Sequence, residues 1–176
     1  MLQLIPRPVA RTAYRLAHRA RILWWRWAKP QLNGCRVIAL DEENRVLLVR
    51  HTYGSGTWMP PGGGLSSRED AVAAACRELA EEVGLSLSGA CLVNEVTEPL
   101  HGAHNRVRIV GGRVQGAPVV DRREVAEAGF FALEHLPEAM SPVIRQGLPL
   151  WVRAATAACH QEGDARPRQA VPAPKG

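Results

Sequence analysis

The sequence predicts an α/β domain, and three observations predict it. Two runs rich in Val, Ile and Leu, CRVIALD (35–41) and RVLLVRHT (45–52), flank the acidic turn EEN, as two strands flank a hairpin. Two further strand-like runs, ACLVNEVTE and NRVRIVGGRV, lie in the middle of the chain. Between these pairs, residues 67–83 show helical periodicity after a proline- and glycine-rich loop, and Gly84 stops the run.

Ser66 or Ser67 is placed to cap that helix, and Ser66-x-x-Glu69 fits a capping box. Val72, Ala75, Cys76, Leu79 and Val83 recur at helical spacing and predict its core face. GFFALEHLP reads as a short strand leading into a turn. Residues 142–160 read as a second helix, interrupted near Gly147 and Pro149. The polar, proline-rich segment 161–176 reads as a disordered tail. No internal repeat is present.

Residues 7–29 read as one amphipathic helix. Val9, Ala13, Leu16, Ala20, Leu23 and Trp27 fall on one stripe, with Arg11, Arg15, His18, Arg19, Arg26 and Lys29 opposite. The chain therefore divides into a basic arm (1–30), a globular domain (31–160) and a tail (161–176). Its 176 residues, 46% hydrophobic, suit one core. Residues 1–30 hold seven basic side chains and no acid, so they carry +7; the whole chain is +5, which leaves −2 for the rest. Basicity thus belongs to the arm, and no DNA-binding motif accompanies it. Three readings apply to the arm: packing on the domain or on a second copy as a homodimer, peripheral contact with an anionic membrane, or organelle targeting. Pairing ranks first and the membrane second. No apolar run approaches the roughly 18 residues that span a bilayer. The four cysteines form no CxxC pair, which fits reduced thiols in a cytoplasmic protein.

The helix 67–83 crowds Glu78, Glu81 and Glu82 onto an arc about 100° wide beside its core face. Like charges at i,i+4 cost roughly 0.2–0.5 kcal/mol on an open helix and more near a core. They also sit at the helix C-terminus, where the macrodipole disfavours anions. Arg77 can offset Glu81 but cannot serve all three. Oxygen-only ligands suit Mg²⁺ or Mn²⁺; a solvated acidic face is the competing reading. The preceding loop favours the metal. Pro60 and Pro61 stiffen it, and Gly62, Gly63 and Gly64 allow close backbone approach to phosphate.

The spacing Gly63, five residues, Glu69, seven residues, then Arg77-Glu78-Leu79-Ala80-Glu81-Glu82-Val83-Gly84-Leu85 resembles the signature of the Nudix hydrolases at every fixed position. Trp58 and Pro61-Gly62-Gly63 resemble the family's approach to that box. The resemblance implies an α/β/α sandwich on a mixed sheet and hydrolysis of a nucleoside diphosphate linked to another moiety. It implies that Glu78, Glu81 and Glu82 hold divalent cations that neutralise the diphosphate and acidify the attacking water. It implies that Arg77 orients these carboxylates, that Glu69 supports the loop–helix geometry, and that the Gly62 and Gly63 backbone completes the cradle. The general base is expected at Glu82 in the box or in the loop DRREVAEAGFF, where Glu124 is preferred over Glu127.

Arg50, at a strand end beside the glycine loop, is a candidate phosphate contact, and Arg106 and Arg108 share one strand face. His51, His101 and His104 show no ligand spacing and read as surface residues. Trp58 reads as a packing residue. The Arg-Ser element of coenzyme A hydrolases is absent from LLVRHTYGSG. Pro99, 15 residues after Gly84, resembles a marker of ADP-ribose and nucleotide-sugar hydrolases and tilts the substrate expectation toward them. RNA 5′ ends and free nucleoside triphosphates stay open. A nucleotide-binding sensor is the non-enzyme alternative; such a protein is expected to lose box carboxylates, and this box is intact.

Overall fold

The structure is a computed structural model that describes residues 30–164 except 67, 101 and 102, together with ten positions of the arm between 9 and 28. Among the described residues six strands form one sheet: β1 (Gln31–Leu40), β2 (Val46–His51), β3 (Trp58–Met59), β4 (Ser88–Leu100), β5 (Ala103–Arg113) and β6 (Val125–Phe131). Two helices cover it, α1 (Ala71–Val83) and α2 (Pro142–Asp164). The spatial order is β3-β2-β1-β5-β4, with β6 pairing β2. β1 runs parallel to β5 and the other pairings are antiparallel, so the sheet is mixed. The expected α/β/α sandwich is present.

Alternation along the strands builds two cores. Cys35, Val37, Ala39, Leu47, Val49 and Val110 pack under α1. Ile38, Leu40, Val46, Leu48, Val107 and Ile109 pack under α2. Period-two side-chain geometry means that a residue's parity decides which helix it meets. Trp58 joins the α2 side, its ring edge-on to Phe131 at 5.0 Å, which is a packing role.

Several boundaries differ from the sequence reading. α1 begins at Ala71, not 67. Asp70 caps it, its side chain accepting from the backbone N–H groups of Val72 and Ala73. Glu69 still reaches back to the Ser66 N–H at 3.1 Å, so half of the capping box forms in the turn before the helix. Ser67 lies outside the described residues. The buried stripe of α1 is Ala71, Ala74, Ala75, Leu79, Glu82 and Val83, whereas Val72 and Cys76 are only partly buried. β6 starts at Val125 and takes Glu127 out of the loop. α2 runs unbroken through Gly147 and Pro149 to Asp164, four residues into the segment read as tail. Ile144, Leu148, Trp151, Val152 and Ala155 are buried on both sides of Pro149. That shared burial offsets the hydrogen bond the proline removes.

The helix expected over 7–29 falls largely outside the described residues. The arm positions that are described are exposed, including Val9, Leu16, Leu23, Trp24 and Trp27. Among the described residues no helix is long and apolar enough to cross a membrane.

Candidate metal and diphosphate site

The glycine loop is held against β1 as though it were a further strand. Cys35 N donates to Gly63 O at 2.9 Å, Val37 N to Pro61 O at 2.8 Å, and Leu65 N to Asn33 O at 2.9 Å. Glycine is required at 62, and at 63 it leaves the space that the Glu78 carboxylate takes. A Cβ on Gly62, whose φ is +152°, would collide with the Cys35 carbonyl. A Cβ on Gly63 would sit inside the Glu78 carboxylate. The loop backbone and the box helix therefore meet with no side chain between them.

Glu78 and Glu82 fall within the stripe that α1 turns toward the sheet, at i, i+3, i+4 spacing from Ala71, Ala74, Ala75 and Leu79. The Glu78 side chain is 16% exposed and that of Glu82 only 6%, while Glu81 is 62% exposed. The expectation that all three acids share the rim is thus corrected: two point inward and one outward. Burial pushes the Glu78 carboxyl above its ordinary value; Arg77 opposes the shift, and the nearby Glu82 and Glu81 charges add to it.

Arg77 is the hub of the acidic cluster. Its Nε and Nη2 donate to Glu69 Oε1 at 3.1 and 2.9 Å. Its Nη1 donates to Glu78 Oε1 at 2.9 Å and to Glu81 Oε2 at 3.4 Å. These bonds hold the guanidinium charged well above the pH range of interest. The Ser66 N–H and then Arg77 lower the Glu69 carboxyl. Arg77 does not reach Glu82. That acid is met by His51, whose Nε2 lies 3.0 Å from Oε1, and by Gly62 N at 3.4 Å from Oε2.

His51 is therefore no surface residue; its side chain is 11% exposed. The signal was present in the alternation Leu47, Val49, His51, which turns all three toward α1. His104 is exposed, and His101 lies outside the described residues. Arg50 has the opposite parity. It shares the far face with Leu48 and pairs with Glu127, its cross-strand partner on β6. Neither residue lies on the face that carries the box helix, so the structure does not bring Arg50 to the glycine loop. Glu124 sits differently. Tyr53 Oη donates to its Oε1 at 2.8 Å, and Thr52 N donates to its carbonyl at 2.8 Å. The Tyr53 ring in turn lies 5.1 Å from the His51 ring. Glu124 is thus fastened to the segment just past His51, whereas Glu127 is held by Arg50 on the opposite face. Arg106 and Arg108 share a sheet face with Cys35 and both pair with Glu95.

A family model for the NUDIX domain matches residues 31–151. The chain belongs to the Nudix family. The match takes in the whole sheet, the box helix and the start of α2. Among curated proteins, the chain is 35% identical over 124 residues to mRNA-decapping enzyme subunit 2 of Arabidopsis thaliana, covering 65% of this chain and 33% of that protein. It is 30% identical over 93 residues to an RNA pyrophosphohydrolase of Rhodospirillum rubrum, covering 49% of this chain and 53% of that one. The chain thus spans about a third and about half of these two relatives. Among solved structures, a MutT NUDIX hydrolase from Burkholderia pseudomallei superposes with a TM-score of 0.62 at 28% identity, covering 68% of this chain and 97% of that one. A MutT protein from Methanosarcina mazei has a TM-score of 0.61 at 21% identity, covering 71% and 95%, and speaks to the fold alone.

Nudix enzymes in general use divalent metal ions. Among the described residues no three His, Cys, Asp or Glu side chains already converge on one point. Arg77 Nη1 bridges Glu78 and Glu81, while Glu82 is held separately by His51. The donor set nevertheless fits a hard cation: carboxylate oxygens only, Glu82 buried and Glu78 partly so, with mutual repulsion that a cation relieves.

Proposed function

We propose that this chain is a metal-dependent pyrophosphohydrolase that cleaves the phosphoanhydride bond of a nucleoside diphosphate linked to another moiety. The observation that carries this reading is the pair of carboxylates, Glu82 buried and Glu78 mostly so, lying directly against the glycine loop. In this reading Glu78, Glu81 and Glu82 hold Mg²⁺ or Mn²⁺. When bound, the cation neutralises diphosphate charge and acidifies the attacking water. The Gly62–Gly63 backbone lets the diphosphate approach. Arg77 spans Glu69, Glu78 and Glu81, so it fixes their spacing and offsets their charge. Glu124 takes the proton from water as water attacks phosphorus and the leaving phosphate departs. Its anchoring by Tyr53 supports that role over Glu127, which is committed to Arg50.

For the group beyond the diphosphate, the two curated relatives favour RNA-linked phosphates over ADP-ribose. Pro99, the residue that tilted the sequence toward ADP-ribose, pairs opposite His104 on the edge strand β4. A proline there protects a sheet edge, which accounts for it without a substrate. The arm's exposed apolar stripe supports self-association; gel filtration with and without residues 1–30 tests this, and unchanged elution rejects it. The enzymatic reading is tested by a product-release screen over 5′-triphosphorylated RNA, capped RNA, ADP-ribose and nucleoside triphosphates with Mg²⁺ and Mn²⁺. Turnover that chelator abolishes supports it. Saturable binding without turnover supports the sensor instead.

A further inference from the structure

We propose that His51 is a positioning residue of the candidate cation site, holding Glu82 Oε1 through Nε2 so that Oε2 is the oxygen left to face a cation. The inference rests on the metal reading above and assigns a role to a residue outside the box. Glu82 is the one box acid that Arg77 does not touch, and it is also the most buried of the three. A carboxylate in such a place needs a donor. His51 supplies it at 3.0 Å, from a side chain that is itself nearly enclosed. The second oxygen receives only a long contact, 3.4 Å, from Gly62 N. This role requires the His51 tautomer with its proton on Nε2, where it donates to the carboxylate.

The His51 ring also has an aromatic neighbour. Tyr53 lies against it at 5.1 Å, and Tyr53 is fixed by Glu124. The stretch His51-Thr52-Tyr53 thus carries two supports side by side, one for a box acid and one for the 121–124 loop. Imidazole and carboxylate partners that orient a metal ligand typically change metal affinity by 10–100-fold when removed. A histidine that merely fills space beside Glu82 would have no such effect, and its replacement by any side chain of similar volume would serve.

The test uses the full chain and Mn²⁺ alone, with free Mn²⁺ followed by electron paramagnetic resonance. His51→Leu removes the donor and keeps most of the volume. His51→Gln keeps an N–H near the position of Nε2. Glu81→Gln is the control for the metal site itself. The expected result is that His51→Leu weakens Mn²⁺ affinity by about tenfold or more, that His51→Gln restores most of it, and that Glu81→Gln also weakens it. Wild-type affinity in His51→Leu, with Glu81→Gln weakened, overturns the positioning role and spares the metal reading. Wild-type affinity in both variants overturns both. Should His51→Leu fail to fold, the imidazole ¹⁵N shifts of the wild-type protein decide: a proton on Nε2 supports the assignment, and a neutral ring protonated only on Nδ1 contradicts it.

Discussion

The two faces of the sheet bury charge in opposite ways. On the face opposite α1, Glu98 and Glu127 each have a cation of their own, the first pair buried and the second exposed. Arg36 holds Glu98 with both Nη atoms, the two side chains 13% and 12% exposed, and the guanidinium lies 5.8 Å from the Trp151 ring centre. Arg50 answers Glu127 across the β2–β6 ladder. Under α1, Glu69, Glu78, Glu81 and Glu82 share one arginine and one histidine. Burying a charge is tolerable when it is paired and costly when it is not. The buried Arg36–Glu98 pair is therefore complete as it stands. The acidic cluster on the box helix is short of positive charge, although Arg106 and Arg108 sit elsewhere on that face with Glu95, and the shortage lies beside the glycine loop.

That contrast predicts different consequences for similar substitutions. Glu82→Gln removes a proposed ligand and its charge, and turnover is expected to fall by more than about a hundredfold. Circular dichroism and the melting temperature without metal should stay at the wild-type value or rise slightly, because repulsion from Glu78 is relieved. Turnover close to wild type would remove Glu82 from the site. Glu124→Gln is expected to lower kcat by about a hundredfold, the smaller end of what a general base contributes. Glu127→Gln, on the other face, should leave kcat close to wild type. Equal losses in the two variants would erase the distinction between the faces.

Arg36→Ala breaks the completed pair under α2. It leaves Glu98 largely buried without its partner, and the expected cost is about 3 kcal/mol in chemical denaturation, the low end for a broken buried pair. The enzyme's metal requirement should not change, since Arg36 points away from α1. The smallest expected effect is that of Glu78→Gln on stability. The folded Glu78 carboxyl is raised above its usual 4.5, so its contribution is full at low pH and is lost as pH rises through the folded value. Without metal, Glu78→Gln should therefore melt higher than wild type near neutrality, and the difference should vanish below about pH 4. A difference that grows toward acid would mean the carboxyl is stabilised as an anion.

Much of this contrast was legible in the residues, and the part that was not has a physical cause. Strands β1 and β2 follow from their Val, Ile and Leu runs, and the box follows from spacing. The helix start did not, because Ser66, Ser67 and Asp70 are all good caps and only Asp70 faces the first free N–H groups. The rotation of α1 is not legible in the pattern because Ala71 and Ala74 are too small to weigh in it, although burying them turns Glu82 inward. The structure turns His51 toward the box helix and Arg50 toward Glu127. Spacing between histidines carries no information on which face a strand residue takes, whereas counting by twos from Leu47 assigns His51 to the box side and Arg50 to the far side. Arg77's reach to Glu69, eight residues upstream, depends on how the loop turns and lies beyond any helical periodicity.

The central claim is that the charge shortage under α1 is a cation site. The most direct measurement is the melting temperature of the full chain near neutral pH, in chelator and then in rising Mg²⁺ or Mn²⁺, for wild type and Glu81→Gln. A ligand that binds only the folded state adds about 2.7 kcal/mol at a hundredfold excess over its Kd. The account predicts a saturable rise for wild type and a much smaller one for Glu81→Gln. No rise in wild type, or the same rise in both proteins, would contradict it.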